Sequence, residues 1–291
     1  MNTLREMANF DRNIIAANSR YDAKYIEYFT GIKAVYLPSW CGDCDGAYNN
    51  VRGGSPRDWG SSLVPLYAPV RKEVLIIPYR SNLDRTRWDT GKNIEDHPIY
   101  KSMAVAMRRA RSENLMSSVK FIKDVYGDSN PLHLVDHPAV VVIPYQVSTI
   151  SLFEVYRMSV PMFVPSLKLL KEWCWEHDLM WEATYGWPER SKDVADRSSG
   201  SVPDPNGPPH EKQTGKLSES KSEWEKRFDY WMPLADFYQF KHIVYFDSWE
   251  DFFVELENTD LFKVSENMRN ENELQRKALV EEWSSILTRV K

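Results

Sequence analysis

Apolar residues along the chain fall into short runs that alternate with segments of helical spacing. The clearest run is 139–143, which lies between Pro138 and Pro144 and predicts a strand buried on both faces. A helix is predicted directly after it, with Ser148 as the N-cap and Pro161 as the stop. Residues 161–164 predict the next strand, so about thirty residues form one βαβ unit.

The same pattern predicts five more strands, at 13–17, 34–37, 73–77, 119–122 and 242–246. Ser19 as N-cap and Gly31 as the residue after the last turn predict a helix between the first two. Right-handed crossovers would bring the loops after 77, 143 and 246 to one edge of the sheet. We therefore expect an α/β protein of one domain, 1–291, with a doubly wound, mostly parallel, Rossmann-like sheet of about six to seven strands.

Two segments stand outside this alternation. Residues 188–222 contain five Pro and almost no large apolar residue, which predicts a disordered insertion within the domain. The C-terminal helix carries an apolar stripe that fits packing onto the sheet, and part of it would be exposed and open to dimerisation if a neighbouring domain is missing. The stripe consists of Leu274, Leu279, Val280, Trp283, Ile286, Leu287 and Val290.

Composition excludes several classes of protein. The 291 residues are 42% apolar and 13% aromatic, enough for a sizeable core, and the net charge of −5 argues against nucleic acid as a partner. No run approaches the eighteen apolar residues of a membrane span, and the first thirty residues hold no signal-peptide core. The cytoplasm is the default location, with the secretory lumen as the alternative.

The three cysteines do not predict a metal site. Cys41 and Cys44 form a CxxC pair, but Cys174 is far away and no His pair has finger spacing. A disulfide between the two neighbours, or two free thiols in a loop, is favoured over zinc.

The candidate chemistry lies in and after the loop that follows the central strand. Glu154 stands in the second turn of the predicted helix between apolar neighbours and needs a partner there. The backbone amides of Ser148, Thr149 and Ile150 would point at an anion above the sheet edge, and Ser151 belongs to the same turn.

The stretch PYQVSTISLFEVYRMSVPMFVPS resembles the donor-binding segment of retaining GT-B glycosyltransferases, and ANSRYDAKYIEYFTGIKAVYLPSW is similar to the opening of their C-terminal half. The resemblance implies two acidic residues spaced Glu-x7-Glu. Here Gln146 takes the first position and Glu154 the second, and the implied roles are to contact the sugar and to hold the ribose. The chain would then be the nucleotide-sugar-binding half of a glycosyltransferase.

The resemblance also implies a basic residue for the donor diphosphate, in the loop after the strand at 73–77. Arg80 is the first choice and Arg85 the second, although the usual Gly-Arg and Lys-Gly pattern is absent. His137 is a further donor contact. The donor, carrying UDP or GDP, is a substrate, and no other cofactor and no metal is required. The acceptor-binding half would come from an N-terminal domain or a partner chain.

A different class of function remains open. Gln146 carries no charge to stabilise an oxocarbenium ion, and a Glu on such a helix is often solvated or capped. The alternative is a non-catalytic Rossmann-like module that binds a nucleotide or serves as an interaction domain.

The insertion predicts a simple deletion result. Removing residues 190–220 is expected to leave the melting temperature nearly unchanged, because a segment with almost no large apolar residue adds little burial to the core. Thermal unfolding of the deletion variant beside the full chain measures this. A large drop would show that the segment belongs to the packed structure.

Overall fold

The computed structural model describes most of the chain, with gaps. The described residues are 2–10, 13–39, 67–77, 97–113, 115, 118–126, 131–177, 179 and 221–290. The helices within these ranges are α1 (Asn2–Ala8), α2 (Arg20–Thr30), α3 (Pro98–Ser112), α4 (Ile122–Tyr126), α5 (Ile150–Arg157), α6 (Leu167–His177), α7 (Lys221–Trp231), α8 (Trp249–Asn258) and α9 (Leu261–Val290).

Seven strands are described, and they form two parallel sheets. The small sheet pairs β1 (Ala16–Ala17) with β2 (Val35–Tyr36). The large sheet has the order β4-β3-β5-β6-β7, and its strands are β3 (Val74–Ile77), β4 (Val119–Phe121), β5 (Val140–Val142), β6 (Met162–Pro165) and β7 (Val244–Phe246). The α/β class and the parallel pairing are confirmed. The expected number of strands in one sheet is wrong, since five described strands join and β1 and β2 pair separately.

Helices cover both faces of the large sheet because its strands are apolar on both sides. Val141 of β5 and Ile76 of β3 belong to a core cluster that includes residues of α3, α6, α7 and α8. Val140 and Val142 belong to a second cluster, which includes residues of α4, α5 and α9. Alternate residues of one strand thus enter opposite cores, as the period of two requires.

The unit β1-α2-β2 is held to the sheet by aromatic packing. The rings of Tyr21 and Tyr28 on α2 lie 5.3 and 5.9 Å from that of Trp231, which is completely buried at the end of α7. Ser19 caps α2 by accepting from the amide of Asp22, and Gly31 ends it at φ 76°, as predicted. These contacts fix where the N-terminus of α2 lies relative to the large sheet.

Several predicted boundaries need correction. The N-cap of α5 is Thr149 rather than Ser148, and its side chain makes no capping hydrogen bond. Lys221 and Ser222 begin α7, so the end of the predicted insertion is helical, while 188–220 lie outside the described residues. Part of the apolar stripe of α9 is exposed, namely Leu274, Val280, Trp283 and Leu287, whereas Ile286 is buried.

The first half of α9 does pack against the sheet layer, and a buried polar contact fixes it there. The side-chain amide of Asn272 donates to the carbonyl oxygen of Tyr156 at 2.9 Å and contacts Ser159 Oγ at 3.3 Å. Ser159 has φ 55°, so the chain turns sharply at the end of α5. Asn272 therefore satisfies a carbonyl at the helix end that has no partner within the helix.

Replacing Asn272 tests this contact. Asn272→Leu should lower the free energy of unfolding by about 1 kcal/mol, because the buried Tyr156 carbonyl loses its side-chain donor and keeps only the amide of Ser159 at 2.9 Å. Asn270→Leu is the matched control on an exposed position of α9 and should change it by less than about 0.5 kcal/mol. Urea unfolding measures both, and equal effects would contradict the capping role.

Candidate functional site

The large sheet has one point where its strand order reverses. The chain leaves β3 toward β4 on one side and leaves β5 toward β6 on the other, so the connections diverge above the adjacent ends of β3 and β5. In open α/β sheets, ligands bind in the crevice at such a point, beyond the carboxyl ends of the strands. Of the segments that leave β3 and β5 at this point, the one described is the loop 143–149 after β5.

Side chains in this loop alternate between the core and the surface. Val147 and Thr149 are buried, whereas Gln146 and Ser148 are partly exposed. The loop thus presents an amide and a hydroxyl to the crevice and anchors itself with its other residues.

Thr149 is the first sign of a ligand at this position. Its side chain is 5% exposed, and its Oγ1 has no hydrogen-bond partner within the protein. It also stands at the N-terminus of α5, where unpaired backbone amides and the helix dipole favour an anion. A hydroxyl left unpaired in this place costs free energy unless a ligand uses it.

Asp236 is the second sign. It begins a short 3₁₀ helix, Asp236–Tyr238, and its amide donates to the carbonyl of Val147 at 3.0 Å. Its side chain is completely buried, and neither carboxylate oxygen has a hydrogen bond of regular geometry. The Ser148 hydroxyl is close enough to favour its charged form without making such a bond. Burial outweighs this and raises the pKa of Asp236 to about 7, with a further increase from the charge of Asp22.

The β1-α2-β2 unit supplies the other polar groups around Asp236. Burial and the charge of Asp236 raise the pKa of Tyr36 to about 12, while Arg20 opposes the shift. The Arg20 guanidinium lies 5.3 Å from the centre of the Tyr36 ring. Asp22 accepts a hydrogen bond from the Ser19 hydroxyl at 2.8 Å, and its negative charge raises the pKa of Asp236.

A groove of about 360 Å³ opens beside this cluster, with Arg20 at its wall. It runs along α2 and carries Lys24 and Lys33 as further cations. Lys24 is paired with Glu27 at 3.0 Å, and Lys33 is exposed. The groove is therefore a weakly basic surface next to the buried acid.

The structure brings together most of the site residues that the sequence predicts. Gln146, Ser148 and Thr149 lie in the loop after β5, and Ile150, Ser151 and Glu154 follow in α5. Glu154 is partly exposed and lies about 6 Å along the helix axis from Ile150. These six residues thus lie in one stretch of the chain, the loop after β5 and the first two turns of α5.

His137 is not part of that stretch. It precedes β5, whereas the loop follows it, so His137 lies at the opposite edge of the sheet. The ring is completely buried, with one nitrogen 2.7 Å from Tyr126 Oη and the other 2.7 Å from the carbonyl of Glu73. Both nitrogens have structural partners. Arg80 and Arg85 lie outside the described residues.

Sequence reasoning missed Asp236. The residue interrupts the apolar run of 232–240 with a single carboxylate, and that interruption was its only signal. Nothing in the local pattern shows that this turn lies against the loop after β5. The tertiary contact between the amide of Asp236 and the carbonyl of Val147 reveals it.

Comparisons with known proteins give the chain no relatives. No protein-family model matches it, and neither the curated proteins nor the solved structures yield a match. Within the described ranges, no three His, Cys, Asp or Glu side chains group as a metal site would require. No described helix combines the length and the apolar character needed to cross a bilayer.

The buried acid predicts a dependence of stability on pH. Because the folded-state pKa of Asp236 is about 7 and the ordinary value is 3.8, protonation favours the folded state. This contribution is full below pH 3.8 and is lost as the pH rises through 7. At pH 8, Asp236→Asn should therefore raise the free energy of unfolding by up to about 4 kcal/mol, and near pH 4 by much less.

Urea unfolding of both proteins from pH 4 to 8 measures the difference, which separates Asp236 from the other titrating groups. Asp124→Asn is the control, since it removes the same carboxyl from an exposed position of α4. Parallel stability profiles for the wild type and Asp236→Asn would contradict the elevated pKa.

Proposed function

We propose that this chain binds a nucleotide sugar at the carboxyl edge of its large sheet and is the donor-binding half of a retaining GT-B glycosyltransferase. The observation that carries the proposal is the unpaired Thr149 hydroxyl at the N-terminus of α5. It lies beside the point where the strand order reverses. The likeness of 144–166 to the donor segment of that family supplies the class of ligand.

Each part of the donor has a group of matching chemistry. The amides of Ser148, Thr149 and Ile150 would bind the diphosphate, together with the Thr149 hydroxyl. Glu154 would accept from the ribose hydroxyls, and Gln146 would hydrogen-bond the sugar. An arginine of the loop after β3, Arg80 before Arg85, would add positive charge at the phosphates.

The reaction follows from this placement. The bond between the anomeric carbon and the diphosphate oxygen breaks, and a new bond forms from that carbon to an acceptor oxygen. The acceptor oxygen passes its proton to the leaving diphosphate oxygen as the new bond forms. Amides and arginine stabilise the charge that develops on the leaving diphosphate, so this step needs no metal ion. The acceptor would be held across the cleft by a second domain or a partner chain.

In a second candidate function, the protein binds a nucleotide but does not transfer a sugar. Gln146 is neutral at the position where the resemblance implies an acid, so it offers no charge to a developing oxocarbenium ion. A Rossmann-like module that binds a nucleotide for regulation or for interaction with a partner would need Thr149 and Glu154 but not a charge at 146.

Thr149→Val tests the site without disturbing the fold. The change keeps the shape of the side chain and removes a hydroxyl that has no partner in the protein, so stability should be unchanged or slightly higher. Affinity for the nucleotide sugar should fall about tenfold, the effect of one lost hydrogen bond to a charged group. Calorimetric titration and thermal unfolding measure the two effects.

The thermal shift of the wild type is first measured with UDP-, GDP- and ADP-sugars, and the ligand that stabilises it identifies the base. Thr288→Val on the exposed end of α9 is the control and should bind as the wild type does. Glu154→Ala should abolish binding while the protein stays folded. Unchanged affinity in both Thr149→Val and Glu154→Ala would refute the site.

A further inference from the structure

Ser148 lies between the crevice and a buried acid. Its side chain is partly exposed, and its hydroxyl lies close enough to the carboxyl group of Asp236 to lower the pKa of that group without a regular hydrogen bond. A hydroxyl has a single hydrogen to donate. The group that hydrogen-bonds the Ser148 hydroxyl from inside the protein therefore decides whether that hydrogen points into the crevice or into the protein.

The position of Asp236 relative to Ser148 is fixed by the backbone. The Asp236 amide donates to the carbonyl of Val147, the residue immediately before Ser148. This contact holds the backbone of Asp236 beside Ser148, and the side chain of Asp236 is completely buried. Its two oxygens have no regular hydrogen bond within the protein, so Ser148 is the one described group in a position to complete one.

We propose that Asp236 is a positioning residue that sets the direction of the Ser148 hydroxyl. When Asp236 is protonated, it donates to Ser148 Oγ, and the hydrogen of Ser148 is free to bind a phosphate oxygen. When Asp236 is charged, it accepts that hydrogen, and Ser148 presents only lone pairs to the anion. This inference rests on the proposed role of the loop in binding the donor diphosphate.

The surroundings of Asp236 keep a large fraction of it protonated at neutral pH, where an ordinary aspartate is fully charged. Asp22 on α2 has the same charge as an ionised Asp236 and disfavours it, and Tyr36 on β2 is a phenol that stays neutral. Arg20 is the nearby cation, and its guanidinium is held at the Tyr36 ring. Burial adds to the repulsion from Asp22, so the proton is lost near pH 7 rather than near 3.8.

The consequence is donor affinity that weakens in slightly alkaline solution. With a pKa of about 7 for Asp236, the protonated fraction falls about tenfold between pH 6 and pH 8. The dissociation constant of a nucleotide sugar should rise by about the same factor. UDP-glucose and GDP-mannose are suitable probes, because neither has a terminal phosphate, whose second pKa near 6 would obscure the effect.

Calorimetric titration of the wild type, Asp236→Asn and Ser148→Ala at pH 6 and pH 8 tests the proposal. In Asp236→Asn the amide donates to Ser148 at every pH, so affinity should match that of the wild type at pH 6 and stay there at pH 8. Ser148→Ala should bind weakly and equally at both values. Asp124→Asn should behave as the wild type.

The outcomes separate this inference from the proposed function. If a nucleotide sugar binds and the affinities of the wild type and Asp236→Asn change with pH in parallel, the positioning role is refuted while donor binding stands. If none binds, donor binding is refuted.

Carboxyl-carbon NMR of the isotope-labelled protein then measures the pKa of Asp236 without any ligand. A titration midpoint near pH 7 that rises in Ser148→Ala supports the coupling of the two side chains, since the hydroxyl lowers the pKa of Asp236. A midpoint near 4, or one that Ser148→Ala leaves unchanged, overturns the coupling.

Discussion

Burial of β5 on both of its faces is the constraint from which the architecture follows. Val140, Val141 and Val142 are at most 1% exposed, and each buried valine contributes about 1.5–3 kcal/mol. The three side chains together approach the net stability of a typical domain, about 5–15 kcal/mol. Such a strand must have a neighbour on each side and a helix layer above and below. Parallel crossovers then bring the loops that follow the strands to the same edge.

That edge differs from the opposite one in how its polar groups are satisfied. At the amino edge, His137 is fully buried, and both of its ring nitrogens have partners in Tyr126 and Glu73. At the carboxyl edge, Thr149 and Asp236 are also buried but lack regular hydrogen bonds. Each unpaired buried group costs roughly 1–3 kcal/mol. Ser265 Oγ on α9 is buried in the same way, but Thr149 and Asp236 lie at the edge where α/β sheets bind ligands.

The small unit β1-α2-β2 has a place in this arrangement as well. Its aromatic residues pack against Trp231, and α2 contacts the 3₁₀ helix Met232–Leu234, which ends just before Asp236. Asp22 thereby acts on a carboxyl group more than two hundred residues away in sequence, and the charge of that carboxyl group acts on Tyr36. The proposed donor site would thus combine a loop of the large sheet with groups from a unit that does not pair with it.

Local patterns in the sequence determined the elements themselves. The apolar runs located all seven described strands, and Ser19 and Gly31 placed the ends of α2 correctly, because side-chain periodicity and capping depend on neighbouring residues. The loop after β5, with Gln146, Ser148 and Thr149, was also visible in the sequence, since it follows the most strongly apolar run.

Only the tertiary structure decided how these pieces meet. It separated β1 and β2 from the large sheet, left part of the α9 stripe exposed, and placed Asp236 against Val147. Strand pairing and the burial of a single acid are set by contacts between distant segments. A local pattern of apolar and polar residues carries no information about such contacts.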